Sequence, residues 1–231
     1  MIKKNKHING LVAICLLVIS MADALAGNRE DIHASAELVQ PLLPGMKTPE
    51  FFVKDIEGRD FRFDPRVLDK PLVLTFYRGG WCPYCNLHLS ELRLAEERLK
   101  EMGFNIWFIS IDKPALLLES LDDPNIGYTI FSDSSLDATR AFGLAFRVDD
   151  ELHERYLSYN IDIEEASGEK HHVLPAPAMY IIGANGIINF AYINPDYKVR
   201  LHPDVLLAAA QAYKEDADPR LVRQRKQAKK K

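Results

Sequence analysis

Cys82 and Cys85 stand three positions apart, with two residues between them, in the run Trp81-Cys82-Pro83-Tyr84-Cys85. A pair at that spacing can close a disulfide and reopen it by thiolate attack, so thiol–disulfide chemistry is the first reaction to consider. Zinc usually takes four ligands, and the sequence holds neither a second CxxC nor an HxxxH. A working dithiol therefore outweighs a metal half-site or an inert pair. No motif asks for a cofactor or a resident metal.

The surrounding pattern says how the pair is held. Pro71 to Tyr77 (PLVLTFY) is a short continuous apolar run, suited to a strand buried on both faces. After Pro83, the residues Cys85, Leu89, Leu92, Ala95, Leu99 and Met102 recur at steps of three and four, which predicts a helix ending at Gly103. The motif thus sits where a strand ends and a helix begins. A helix N-terminus carries unpaired N–H groups and partial positive charge, which lower a thiol pKa from its free value of about 8.5. Pro83 suits the first helical position, whose N–H would be unpaired anyway. On this argument Cys82, at the cap, is the exposed and acidic nucleophile. Cys85, one turn later on the apolar stripe, is the resolving thiol. Arg78 and His88 are the nearby groups able to stabilise a thiolate, although His88 lies in the stripe and reads better as a packed histidine. Trp81 is expected to pack beside the motif.

Further elements follow from the same patterning. Residues 28–43 read as a helix or a loose lead-in. Gly45 to Asp64 reads as a β-hairpin, with Phe51, Val53 and Ile56 before Glu57-Gly58 and Phe61 and Phe63 after it. Phe104 to Ile111 and Tyr128 to Phe131 are strands, Ala115 to Leu121 and Leu136 to Phe142 short helices. Residues 148–173 are polar and read as an insertion loop, with His171 and His172 solvated. Ala178 to Ile182 and Ile187 to Ile193 form a hairpin across Gly183-Ala184-Asn185-Gly186. Asp204 to Tyr213 is a terminal helix, and 214–231 is a basic tail. Strands alternating with helices indicate an α/β fold with a central mixed sheet flanked by helices.

The start of the chain reads differently. Lys3, Lys4 and Lys6 precede an apolar core from Leu11 to Ile19, and Ala24-Leu25-Ala26 supplies small residues at a cleavage site. Residues 1–26 are expected to be a signal peptide, too short in its apolar run for a stable membrane anchor. Cys15 would leave with it. The mature protein is then expected outside the inner membrane, in the periplasm. With a formal net charge of -4 and no phosphate-binding loop, nothing points to nucleic acid or nucleotide.

The WCPYC run after a buried strand resembles the WCxxC motif of the thioredoxin superfamily. Ala176-Pro177-Ala178-Met179-Tyr180-Ile181-Ile182, followed by Gly186, resembles its cis-proline loop and strand. Pro44-Gly45, Pro49-Glu50-Phe51, Phe76 to Cys85, Ile109-Ser110-Ile111-Asp112 and Phe131-Ser132-Asp133 resemble the peroxiredoxin-like branch, the alkyl hydroperoxide reductase and thiol-specific antioxidant proteins. The resemblance covers residues 44–213 and implies a thioredoxin-like fold with an N-terminal hairpin, no cofactor, a thiol/disulfide partner protein, and a disulfide or hydroperoxide substrate. It implies that Pro177 is cis and faces the dithiol. On the peroxiredoxin pattern, Arg78 stands where a proline is expected, Cys82 where a threonine is, and Cys85 at the peroxidatic cysteine. No arginine stands near Pro177. Disulfide exchange led by Cys82 is therefore the first expectation, with slow peroxide turnover. A thiol-dependent peroxidase with Cys85 peroxidatic and Cys82 resolving is the alternative, and a copper(I) carrier the third reading.

Overall fold

The structure, a computed structural model, describes residues 28–117 and 128–217. The expected signal peptide with Cys15, most of the expected 115–121 helix and the basic tail beyond 217 lie outside the described residues. Among the described residues no helix is long and apolar enough to cross a membrane.

Seven strands form one mixed sheet. In chain order they are β1 (Phe51–Lys54), β2 (Asp60–Phe63), β3 (Leu72–Phe76), β4 (Asn105–Ser110), β5 (Thr129–Ser132), and, after a separate two-stranded ladder, β8 (Ala178–Ile182) and β9 (Ile188–Ile193). The spatial order is β2-β1-β5-β4-β3-β8-β9. β3, β4 and β5 run parallel, with Leu72 opposite Asn105 and Trp107 opposite Thr129. β8 joins β3 antiparallel, Phe76 opposite Ala178, and β9 closes that edge. The expected hairpin β1–β2 caps the other edge through a single pairing, Lys54 with Ser132.

β3 lies between β4 and β8, buried along its whole length. Its alternation sends Val73 and Tyr77 to one face and Leu72, Leu74 and Phe76 to the other. The first face is covered by α1 (Pro83–Glu101) and by α5 (Pro203–Ala217). There Leu89, Leu92, Ala95 and Leu99 meet Leu206, Leu207 and Ala210. The second face is covered by the short α2 (Asp137–Ala141), with Ala138 and Phe142 against Phe51, Phe76 and Tyr180. Asp133 holds the start of α2 by accepting from the amides of Ala138 and Thr139 at 3.0 and 2.7 Å.

Of the two alternatives for residues 28–43 the lead-in remains, and the reading of 148–173 needs correction. Residues 28–43 are not a helix beyond a 3₁₀ turn at Ala36–Leu38. Their backbone groups bond instead to 142–147, as His33 N–H donates to the Ala145 carbonyl and the His33 carbonyl accepts from Arg147 N–H. Residues 148–173 are not a loop either. They form α3 (Asp150–Ser158) and α4 (Ile163–Ser167), each opened by an aspartate. Asp149 accepts from Leu152 N–H at 2.7 Å, and Asp162 from Glu164 and Glu165. Tyr156, Ile163 and Ala166 turn inward, and the first two join Ile111 and Leu136 in a third core. The insertion is flanked by the ladder β6 (Ala145–Arg147) and β7 (Val173–Pro175).

Candidate active site

Past the end of β3 the chain must turn sharply to start α1, and Gly79 makes that turn at φ +152°. A Cβ there would lie 2.2 Å from the Trp81 indole nitrogen and 2.6 Å from an Asp112 carboxylate oxygen, so only glycine fits. Asp112 pins the turn by accepting from Gly80 N–H at 2.8 Å and from the Ser110 hydroxyl at 3.0 Å. Asn86 Nδ2 donates to the Gly80 carbonyl at 2.8 Å. Cys82 is the helix cap and Pro83 the first helical residue, as the spacing predicts. The Cys82 carbonyl accepts from the amides of Cys85 and Asn86, which closes the first turn.

Both thiols are buried, each 1 % exposed. They are hydrogen-bonded to each other, and their surroundings pull them apart in acidity. Burial pushes Cys85 up, but the bond from Cys82, the Arg200 charge, the Arg78 backbone amide and the Arg78 charge together outweigh it and bring Cys85 down to about 6. Cys82 goes the other way. Its bond to Cys85, its burial and the Cys85 charge all raise it, with Arg78 opposing. These directions favour ionisation of Cys85 over Cys82. This reverses the expected assignment, in which Cys82 was the exposed, acidic nucleophile.

After the bond from Cys82, Arg200 is the next largest cause that lowers Cys85. It comes from the segment between β9 and α5, and its Nη2 donates to Cys85 Sγ at 3.0 Å. Its Nε donates to the Tyr197 carbonyl at 2.6 Å, which fixes the guanidinium plane. A helix terminus contributes about 0.3–1 kcal/mol at exposed sites. A hydrogen bond to a charged group contributes about 1.5–3 kcal/mol, so the guanidinium prevails. Arg78 Nη1 approaches Cys82 Sγ at 3.8 Å, and Nη2 donates to the Tyr156 hydroxyl. Arg78 is buried among aromatic faces, 4.0 Å from the Tyr197 ring centre, 4.9 Å from Trp81 and 5.3 Å from Tyr156. Two guanidinium groups at the thiols repel a cation, which counts against the copper(I) reading.

The other expected residues fall into place around this pair. Trp81 packs as expected, its ring centre 5.9 Å from that of Tyr156. His88 is buried, and burial with the Arg200 charge brings it down to about 4. It is therefore neutral, and its Nε2 donates to the Leu201 carbonyl at 3.1 Å. His88 holds the Arg200 segment rather than a thiolate. Pro177 is trans, as no peptide bond among the described residues is cis. Its carbonyl accepts from Asn194 N–H at 3.3 Å, and it lines a small cavity with His88 and Arg200. The missing arginine near Pro177 is thus present in space, carried by position 200.

Residues 44–191 match the model of the AhpC/TSA family. The chain belongs to that family. Peroxiredoxin Bcp of Escherichia coli K12 is 28% identical over 106 residues, 46% of this chain and 67% of that protein. A peroxiredoxin Q from the chloroplast of Gentiana triflora is 23% identical over 168 residues, 73% of this chain and 66% of that one. Among solved structures, peroxiredoxin 6 of Arenicola marina superposes with a TM-score of 0.62 at 16% identity, over 77% of this chain and 76% of that one. Peroxidoxin BcpB of Mycobacterium tuberculosis gives 0.56 at 18%, over 73% and 96%. These likenesses carry the thioredoxin-like fold, and the family makes this chain a thiol-based oxidoreductase.

Within the AhpC/TSA frame, the residue missed from sequence is Arg200. It stands outside the matched span, in a segment with no helical or strand period. The signal available was topological, since the connection from β9 to α5 passes the start of α1. Beside the motif, a cleft of about 540 Å³ runs between Gly80, Trp81 and Asp112 on one side and Leu157, Ile161 and Ala166 of the insertion on the other.

Proposed function

We propose that this family member is a thiol-dependent peroxidase, with Cys85 as the peroxidatic thiolate and Cys82 as the resolving thiol. The observation that carries this reading is the Arg200 guanidinium 3.0 Å from Cys85 Sγ, with Arg78 on the other thiol. Such donors serve the inner cysteine and the oxygen that must leave when a peroxide bond breaks. The relatives named peroxiredoxin support the same assignment.

The Cys85 thiolate attacks one peroxide oxygen. An S–O bond forms as the O–O bond breaks, and the departing alkoxide or hydroxide takes a proton to leave as alcohol or water. Cys85 is now a sulfenic acid, oxidised by two electrons. The negative charge that raised Cys82 is gone, so Cys82 becomes easier to deprotonate when it is needed. It attacks the sulfenic sulfur, the S–S bond forms, and hydroxide leaves with the Cys82 proton as water. An external dithiol protein then restores the pair by returning two electrons and two protons, becoming a disulfide itself. The basic start, apolar core and Ala24-Leu25-Ala26 site support export, so the donor is proposed to act in the periplasm.

The test is peroxide consumption by Cys82→Ser and Cys85→Ser. Cys82→Ser should react once, stop at a sulfenic acid that dimedone traps, and lose turnover. Cys85→Ser should not react. A Cys85→Ser protein that still consumes peroxide would return the leading role to Cys82 and with it the disulfide-exchange reading.

A further inference from the structure

We propose that His153, Glu164 and His172 form a binding site for one divalent transition-metal ion of the zinc(II) class. The site belongs to the insertion, is separate from the dithiol, and does not depend on the peroxidase reading. One ligand atom from each residue lies within 4.8 Å of the others. His153 comes from α3, Glu164 from α4, and His172 from the residue before β7. The His153 and His172 rings stack with centres 3.9 Å apart at 24°, so the two imidazoles lie against each other. His172 Nε2 lies 2.6 Å from a Glu164 carboxylate oxygen.

Two observations separate this cluster from an ordinary set of surface contacts. The Nδ1 of His153 is buried and has no hydrogen-bond partner. A buried polar atom left so costs about 1–3 kcal/mol, and a metal ion would satisfy it. His172 sits at φ +49°, a conformation that L-residues adopt at a cost, and its ring meets both partners there. The neighbouring His171 makes the contrast. Its Nε2 bonds to the Ser134 carbonyl and its Nδ1 accepts from Val173 N–H, so both nitrogens are used by backbone.

The donor set fixes the kind of ion. Two imidazole nitrogens and one carboxylate oxygen suit zinc(II), with water as a fourth ligand. Magnesium takes oxygen ligands in an octahedron and would not choose this set. Bonds of about 2.0–2.2 Å place tetrahedral ligands about 3.3 Å apart. Binding therefore opens the His172–Glu164 contact slightly and draws His153 inward. The ion would tie α3 to α4 and to the entry of β7. Tyr156, one turn from His153 on α3, accepts from Arg78 and packs on Trp81. Occupancy would thus stiffen the wall behind the dithiol.

The experiment uses the full chain with Cys15, Cys82 and Cys85 changed to serine, so that no thiolate can hold the metal. Zinc(II) is titrated in competition with a chromophoric chelator. One equivalent should bind with micromolar or tighter affinity. His153→Ala and His172→Ala should each weaken it by at least about tenfold, the scale on which lost site residues act. His171→Ala and excess magnesium should leave it unchanged. A second measurement on the unsubstituted imidazoles avoids dependence on variant folding. Zinc(II) should shift the ring resonances of His153 and His172 and leave that of His88 in place. No saturable binding, equal loss in His171→Ala, displacement by magnesium, or shifts confined to other histidines would each overturn the proposal.

Discussion

Arg200→Gln removes the guanidinium from Cys85 and leaves a shorter, uncharged amide. At an effective dielectric of about 20, unit charges about 4 Å apart attract by about 4 kcal/mol. The net effect of a charge-assisted bond is smaller, about 1.5–3 kcal/mol, and at about 1.36 kcal/mol per pKa unit this raises Cys85 by about 1–2 units. Starting from about 6, Cys85 should titrate between about 7 and 8 in the variant. At pH 7 its thiolate fraction falls from about 90% to about 10–50%. Alkylation by iodoacetamide reads that fraction alone, so it should slow by no more than about tenfold. Peroxide reduction should lose a further factor of about 10²–10³, because a donor to the departing oxygen is gone as well. Stopped-flow fluorescence of Trp81, beside the motif, follows the peroxide reaction. At pH 9, where both proteins are largely thiolate, alkylation rates should converge and the peroxide deficit should persist. If peroxide and alkylation rates fall in equal proportion at every pH, Arg200 only sets the acidity of Cys85 and does not assist bond cleavage. If neither changes by more than about threefold, the 3.0 Å contact carries no weight in solution and the assignment of Cys85 loses its basis.

Tyr156→Phe strips the buried Arg78 of the hydroxyl that accepts from it, and should cost about 1–3 kcal/mol in urea unfolding while slowing peroxide reduction more than alkylation. Asp133→Ala leaves the amides of Ala138 and Thr139 without an acceptor, and should lower stability by about 2–3 kcal/mol with the thiol chemistry intact. The folded pKa of Cys85 is depressed, so its contribution to the stability of the reduced protein is full above about 8.5 and lost as pH falls through about 6. Asp112, raised to about 6 by burial first and by the Cys85 charge, against hydrogen bonds that lower it, runs the opposite way, its contribution present below about 3.9 and lost as pH rises through about 6. Comparing urea midpoints of the parent and Cys85→Ser from pH 5 to pH 9 (about the span of both) isolates the cysteine, and a difference that does not grow with pH would refute its depressed pKa.

Hydrophobic period made the strand before the motif and α1 legible, because Val73, Leu74 and Phe76 below and Leu89, Leu92 and Leu99 above must be buried. The same rule failed at residues 148–173. Their helices bury only Tyr156, Ile163, Ala166 and Ser167, too few to stand out from their charges, and the informative residues were the caps Asp149 and Asp162. Cys82 was misjudged because a cap position is visible in sequence and an arginine 115 residues away is not. Pro177 was misjudged from resemblance, since trans is the default isomer of an X–Pro bond and residues 176–178 adopt it. Arg78 lies beside Cys82, as expected of a nearby cation, while His88 bonds to Leu201 rather than to a thiolate. Their roles depended on neighbours, Tyr156 and Leu201, that only the fold brings near.

The two thiols share one helical turn, and that arrangement sets a clock. A sulfenic acid at Cys85 has two fates, capture by a neighbouring thiol or a second encounter with peroxide that leaves it irreversibly oxidised. Where the capturing thiol is distant, a segment must unwind first, and the second fate gains time. Here the partner already touches Cys85 through a hydrogen bond and needs no rearrangement of α1 to reach it. Groups held in such contact react as if present at about 10⁵–10⁸ M, far beyond any peroxide concentration a cell survives. On the proposed peroxidase reading, capture by Cys82 outruns further oxidation of Cys85, and turnover is then limited by the supply of reducing partner.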